Sequence, residues 1–280
     1  MKVCIIGKGV LGDATGYALE YGGHEVVYHD PPKGIEGSPD GCDVALICVP
    51  TPIGWAGTCD CGAVYETAQW LNKHDPVCYV GIRSTVPPGT CDYMQREFPV
   101  MEWFSWPEFL QQSRAREMAA DPPYRVVGYS GWDESANAET ASRIRQLTGL
   151  RDDDPGSRRV TPLEAEFIKY ATNALLAGTV GLCNELGDLA TAYGLDWNAL
   201  VPPVAERDAV LPANVRIIPP GGFGGACLPK DLAALLFHSL RDKGLDLPVL
   251  SLVERENTKR RGGSTAGERP GTASERLGHG

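Results

Sequence analysis

The stretch KVCIIGKGVLGDATGYALEYGGHEVVYHD, Lys2–Asp30, sets the architecture of the N-terminal half. Lys2 to Ile6 is a short β-rich run ending in glycines, Val10 to Tyr21 has helical character, and Glu25 to His29 reads as a second strand. Between the first strand and the helix stands GKGVLG, Gly7 to Gly12, with G-x-G-x-x-G spacing. There Gly7 allows a tight turn, Gly9 lets a pyrophosphate approach the backbone, and Gly12 lets helix and strand pack closely. Val10 and Leu11 open the helix, whose first N–H groups favour a phosphate. Asp30 closes the second strand, where an acid accepts from ribose hydroxyls and repels a 2′-phosphate, so the pattern predicts NAD rather than NADP. A glycine turn beside a solvated acid is the bland alternative. The order strand, glycine loop, helix, strand, acid favours the dinucleotide reading.

Working outward, Asp43 to Val49 (DVALICV) is a continuous apolar strand, as a parallel sheet covered on both faces requires. Ala63 to Lys73 reads as a helix and Val77 to Ile82 as a strand. Val100 to Phe104, Arg125 to Val127 and a helix from Glu134 to Leu147 continue the alternation. The expected fold is α/β, a shortened Rossmann-like doubly wound parallel sheet over residues 1–155. A polar break, RDDDPGSRR from Arg151, then separates it from an all-helical central domain, 156–257. That domain opens on one long helix, Thr161 to Tyr193, with a Thr-Pro start signal. Further helices are expected at 196–206, 229–243 and 247–260. The Gly-, Ser- and charge-rich stretch from Thr258 to residue 280 reads as a disordered tail.

The chain has 280 residues, 42% of them hydrophobic, and a net charge of −10, which leaves no global basic footprint for nucleic acid. Nine cysteines, several inside apolar runs, fit buried thiols in a reducing cytoplasm better than a disulfide framework. No stretch of about 18 apolar residues suggests a membrane span, and the N-terminus lacks the pattern of a signal peptide. The pair Cys59 and Cys61 (CDC) falls short of a four-ligand zinc site, so no metal is expected.

Three further segments carry chemistry. In FGGACLPKD, Phe223 to Asp231, Gly221, Gly222, Gly224 and Gly225 make a loop that a ligand or another backbone could approach closely. Pro229 suits the first turn of a following helix, so Cys227 sits just before a positive helix end with Lys230 nearby, a setting that favours a nucleophilic thiolate. A small residue buried in a loop is the equal alternative. In EAEFIKYATNALLAG, Glu164 to Gly178, the spacing puts Glu166, Lys169 and Asn173 on one helical face, where a Lys and an amide could hold an oxyanion; a solvated stripe is the default. IRSTVPPGT, Ile82 to Thr90, and VPTP, Val49 to Pro52, end strands and so bring Pro50, Thr51 and Thr85 to the ligand crevice, while PEFL, Pro107 to Leu110, offers Glu108 as a base. Each is a plain turn by default.

In this order, GKGVLG, CVPTP, RSTVPPGT, PEFL, EAEFIKYATNA, NEL and FGGACLPKD resemble the UDP-glucose/GDP-mannose dehydrogenase family, from Met1 to about Arg261. The resemblance implies NAD-dependent oxidation of a nucleotide-sugar C6 alcohol to the acid, in two steps, for polysaccharide biosynthesis. Carried over, Cys227 attacks the intermediate aldehyde, giving a thiohemiacetal and then a thioester. Lys169 and Asn173 stabilise the oxyanion, while Asp231, Glu108 and Thr85 serve water and proton transfer. Gly7, Gly9, Val10, Leu11, Gly12, Asp30, Pro50, Thr51, Thr85 and Lys230 would hold the cofactor. Glu108, Phe109, Leu110, Lys169, Asn173, Phe223, Gly224 and Gly225 would hold the sugar. The family pairs through its long helix, which implies a homodimer. Departures are visible: eleven residues between Asp30 and Cys42 replace a helix and strand, Gln112 stands for an acid and Trp106 for an Asn. The chain is expected to lack the family's C-terminal UDP-binding domain. Two alternatives stand beside this reading: a small hydroxy-acid dehydrogenase of similar layout, and a non-catalytic NAD-binding or dimerisation module.

Overall fold

The computed structural model describes residues 1–74, 79–133, 137–200, 222–225 and 227–262. The chain separates into two compact units, Met1–Thr172 and Asn173–Gly280.

The first unit is built on an eight-stranded sheet in the order β3-β2-β1-β4-β5-β6-β7-β8. Its strands are β1 (Lys2–Ile6), β2 (Glu25–Asp30), β3 (Ile35–Glu36), β4 (Val44–Ile47), β5 (Tyr79–Ile82), β6 (Glu102–Ser105), β7 (Arg125–Gly128) and β8 (Ser157–Val160). The run from β2 through β1, β4 and β5 to β6 is parallel. Strand periodicity explains its burial on both faces. Cys4, Ile6, Ala45 and Ile47 point one way, onto Val64, Ala68 and Leu71 of α2 (Gly62–Leu71) and Cys91 and Met94 of α3 (Thr90–Glu97). Val3, Ile5, Val44 and Leu46 point the other way, with Leu19 of α1 (Val10–Tyr21) and Ile144 and Leu147 of α5 (Ala138–Thr148). Each such fully buried aliphatic side chain contributes about 1.5–3 kcal/mol. A short helix, α4 (Ala115–Ala120), completes the unit.

Local reasons account for the departures from expectation. The eleven residues after Asp30 are too few for the crossover that a parallel neighbour needs. They turn back through a short 3-10 turn, Pro31–Lys33, and β3 pairs with β2 antiparallel. The Asp-rich break contains a strand: Ser157–Val160 pairs parallel with β7, with Arg158 and Arg159 exposed at the sheet edge. The expected strand start at Val77, the helix start at Glu134 and residues 201–206 of the third helical segment lie outside the described residues.

The 31-residue helix α6, Pro162–Ala192, runs through the division between the units. Its start is a reciprocal capping box: the Thr161 N–H donates to Glu164 Oε2 at 2.8 Å, and the Glu164 N–H donates to Thr161 Oγ1 at 3.3 Å. In the second unit, α7 (Leu228–Lys243) ends on Gly244, whose φ of 65° is the left-handed cap conformation. Helix α8 spans Pro248–Arg260. Ala177, Val180, Phe223 and Leu232 form this unit's core with Leu236, Leu250 and Val253. The expected tail therefore starts too early: residues 258–260 are helical, because ERENTKRR holds no helix breaker before Gly262. Residues 263–280 lie outside the described residues.

Candidate functional site

The carboxyl ends of β1, β2 and β4 meet around the glycine loop, where the chain leaves β1 for one side and β4 for the other. Gly7 has φ +93°, and a Cβ there would stand 2.6 Å from the Cys48 carbonyl oxygen. A Cβ on Gly12 would stand 1.8 Å from Gly7 O, so only glycine lets α1 lie this close to the loop. Gly9, the N-cap of α1, makes no side-chain cap and has open space where a Cβ would be. Val10 is exposed and Leu11 half-buried beside it. Asp30 accepts the Lys8 N–H at 2.8 Å, and Lys33 Nζ lies 3.3 Å from the same carboxylate. Lys33, which the sequence reading did not single out, thus puts a cation beside the acid. An uncapped helix end, an open glycine and an acid on the neighbouring strand fit a dinucleotide: N–H donors for the pyrophosphate, a carboxylate for the ribose.

Farther along the same sheet edge, Thr51 is buried and its hydroxyl donates to Thr85 O at 2.7 Å, tying the ends of β4 and β5 together. Pro50 is exposed next to it. Arg83 is buried, stacks 3.9 Å over the Trp106 ring and donates to Trp106 O at 3.3 Å. Burial lowers its pKa, and Cys48 and Glu108 are the charge neighbours that oppose this. Two residues on, Glu108 Oε1 accepts from Lys169 Nζ at 3.1 Å, while Oε2 accepts the Leu110 N–H at 2.6 Å. The pair is enclosed, at 5% side-chain exposure for the lysine and 13% for the glutamate. Phe109 lies 5.4 Å under the same ammonium. Glu166 is buried and does not join them: its two oxygens accept the Gly89 and Cys91 N–H groups at the start of α3. It supplies the cap that Gly89 has no side chain to make.

In the second unit, Cys227 is the exposed N-cap of α7, with Pro229 in the first turn. Asp231, one turn in, is buried; its Oδ2 accepts from Asn173 Nδ2 at 2.5 Å and its Oδ1 lies 2.8 Å from Lys230 Nζ. Phe223 packs its ring in the unit's core, so the loop offers backbone rather than the aromatic face. Asn257 of α8 clamps that backbone, accepting the Phe223 N–H at 2.7 Å and donating to Phe223 O at 3.0 Å. Gly222 has φ +79°, and a Cβ there would stand 2.6 Å from Asn257 Oδ1; a Cβ on Gly224 would meet only the mobile end of the Arg261 side chain; Gly225 has φ +81° in open space. Gly221 lies outside the described residues. The sequence gives no signal for Asn257, an amide inside a polar helix.

Comparison with known proteins follows the same division. The NAD binding domain of the UDP-glucose/GDP-mannose dehydrogenase family matches residues 32–146, and the family's central domain matches residues 163–259. The chain belongs to the UDP-glucose/GDP-mannose dehydrogenase family. This member is 32% identical over 230 residues to a UDP-glucose 6-dehydrogenase of Rickettsia typhi, covering 80% of its own length and 51% of the relative's. Against a UDP-glucose dehydrogenase structure from Pyrobaculum islandicum it has a TM-score of 0.75 at 26% identity, over 92% of this chain and 68% of that one. A 3-hydroxyisobutyrate dehydrogenase of Mycobacterium tuberculosis shares the fold, with a TM-score of 0.68 at 17% identity over 92% of each chain. The family member spans about half the length of the curated relatives it matches. Its N-terminal domain is an NAD-binding domain by family. Among the described residues, no helix is long and apolar enough to cross a membrane.

Proposed function

We propose that the chain is an NAD-dependent nucleotide-sugar dehydrogenase that oxidises a C6 alcohol to the uronic acid, serving polysaccharide biosynthesis in the cytoplasm. The observation that carries this reading is the pairing of acids with oxyanion-type donors, the half-buried Glu108 with Lys169 and the buried Asp231 with Asn173, together with an exposed cysteine at the start of α7. NAD, when bound, accepts the hydride at each of two oxidations. Gly7, Gly9, Gly12, Asp30, Lys33 and Thr51 would hold it. Deprotonation of the alcohol falls to the Glu108–Lys169 pair. The Cys227 thiolate adds to the aldehyde carbon, and the resulting oxyanion takes hydrogen bonds from Lys169 Nζ and Asn173 Nδ2. After the second oxidation, water adds to the thioester, its proton passing to a carboxylate, and the thiolate leaves. Asp231 orients Asn173 for this work. Thr85, Phe109, Leu110, Gly224 and Gly225 would line the sugar.

The test is NADH formation from UDP-glucose, GDP-mannose and UDP-N-acetylhexosamines, for wild type and Cys227→Ser. Two NADH per sugar, stalled in the variant, is the expected result. One NADH from a small hydroxy acid, independent of Cys227, would overturn the reading. Turnover of none of these with NAD bound would leave a binding module instead. A homodimer is proposed from the exposed apolar side chains Leu175, Leu182, Leu186 and Leu189, whose steps of three, four and seven make one stripe on α6. Sedimentation as a monomer at micromolar concentration would refute it.

A further inference from the structure

The CDC turn takes no part in the chemistry above. It lies between VPTP and α2, entirely within the first unit. Cys61 is the half-buried N-cap of α2, and Cys59 is buried. The Cys61 thiol points at the Cys59 sulfur, 3.9 Å away. The Cys59 thiol faces the Thr51 and Thr85 carbonyls at 3.9 and 3.7 Å. These two threonines are the pair that joins the ends of β4 and β5. The turn itself is held by an Ile53–Cys59 bridge, by Gly54 N–H to Thr58 O at 2.7 Å and by Asp60 N–H to Pro52 O at 2.9 Å. It is already bent: Ala56 has φ 55°, a left-handed conformation that a non-glycine residue seldom adopts.

We propose that Cys59 and Cys61 form a redox dithiol, which hydrogen peroxide converts to a disulfide, and that this bond loosens the Thr51–Thr85 junction. Cys61, the more accessible sulfur, attacks the peroxide oxygen; the O–O bond breaks, the sulfur becomes a sulfenic acid and hydroxide leaves, taking up a proton to become water. The Cys59 thiol then condenses with it, forming the S–S bond and releasing a second water. The peroxide is reduced by two electrons and the two thiols lose two hydrogens. Burial holds Cys4 and Cys48 up at about 12 and Cys91 well above its ordinary value, which keeps them protonated and inert. Closing from 3.9 Å to a bond of about 2.04 Å draws the Cys59 sulfur away from the threonine carbonyls and strains the Asp60 peptide between. A ring this small stores strain, so a thiol reductant reopens it and the change is reversible.

The effect on cofactor affinity rests on the dinucleotide reading; bond formation and turn loosening do not. The full chain, reduced and desalted, is treated with one equivalent of hydrogen peroxide and digested for peptide masses. Amide exchange and NAD titration are followed on the intact protein. Expected are the loss of two hydrogens from the peptide carrying both cysteines, faster exchange at the Gly54 and Asp60 amides, and a several-fold weaker NAD affinity, all reversed by dithiothreitol. Cys61→Ser should show none of these changes, with Cys59→Ala as a second variant should the first fold poorly. Oxidation that stops at a sulfinic acid, pairing with another cysteine, or an unchanged exchange pattern once the bond has formed would each overturn the proposal. Equal NAD affinity in both redox states would overturn the coupling. Failure of the reduced protein to bind NAD would count against the dehydrogenase reading, while the mass and exchange arms still decide this one.

Discussion

Glu166 sets a measurable link between pH and the stability of the first unit. Burial raises its pKa from 4.5 to about 8, against the lowering effect of the Cys91 and Gly89 N–H donors. Because the native pKa lies above the unfolded one, the folded state binds the proton more tightly. This group's contribution is therefore most favourable below pH 4.5 and declines as pH rises through about 8. At about 1.36 kcal/mol per unit, the gap bounds the loss at roughly 5 kcal/mol. A protonated carboxyl still offers both oxygens to the two N–H groups, so the cap on α3 survives at low pH. Glu166→Gln does not titrate, but it has one acceptor oxygen where the glutamate uses two. The amide nitrogen then faces an N–H group, at a cost of about 1–3 kcal/mol. Urea unfolding followed by tryptophan fluorescence between pH 5 and 9 should show the variant less stable at pH 5 and its disadvantage shrinking towards pH 9. A constant difference across that range would refute the reasoning: Glu166 would then stay ionised throughout, held by the helix end and its two donors.

Gly12→Ala should cost about 1–3 kcal/mol in urea unfolding and abolish NAD binding by calorimetry, since its Cβ would fall 1.8 Å from Gly7 O; wild-type affinity would contradict the packing account. Arg83→Lys keeps a cation but loses the planar stack on Trp106 and should lower stability by about 1–2 kcal/mol; an unchanged midpoint would show that the charge alone matters. Asn257→Ala leaves the Phe223 N–H and carbonyl without their side-chain partner and should speed exchange of the Phe223 amide by tenfold or more, for about 1.4 kcal/mol or more of lost local stability; unchanged protection would remove Asn257 as the clamp.

Much of the fold is legible because its strands are short, continuous and apolar. VALI of β4 is buried at every position, and GKGVLG fixes the turn out of β1 by sterics alone. What escapes a sequence reading lacks such a signature. Strand β8 is four residues, SRRV, with two exposed arginines, and β3 is only two residues. Both are held by neighbours that pattern cannot name. The end of α8 is hidden for the opposite reason: its charged run reads on into the glycine-rich stretch after it, although Arg260 pairs with Asp188 and Arg261 reaches Phe223 O.

Helix α6 shows how far periodicity goes. Its spacing places Glu166, Lys169 and Asn173 on one face, and all three are buried. Shared burial does not make them one cluster. Glu166 caps α3, Lys169 pairs with Glu108, and Asn173 bonds Asp231. Each partner lies 58 or more residues away in sequence. A helical face names the residues that leave solvent; a polar group that leaves solvent must find a partner, because an unpaired one costs about 1–3 kcal/mol and an unpaired charge more. The three polar residues of that face were therefore bound to be partnered, and long-range topology alone assigns the partners. That topology also separates their work. Glu166 accepts backbone N–H groups and caps α3, whereas Lys169 and Asn173 each donate to a carboxylate, that of Glu108 and that of Asp231.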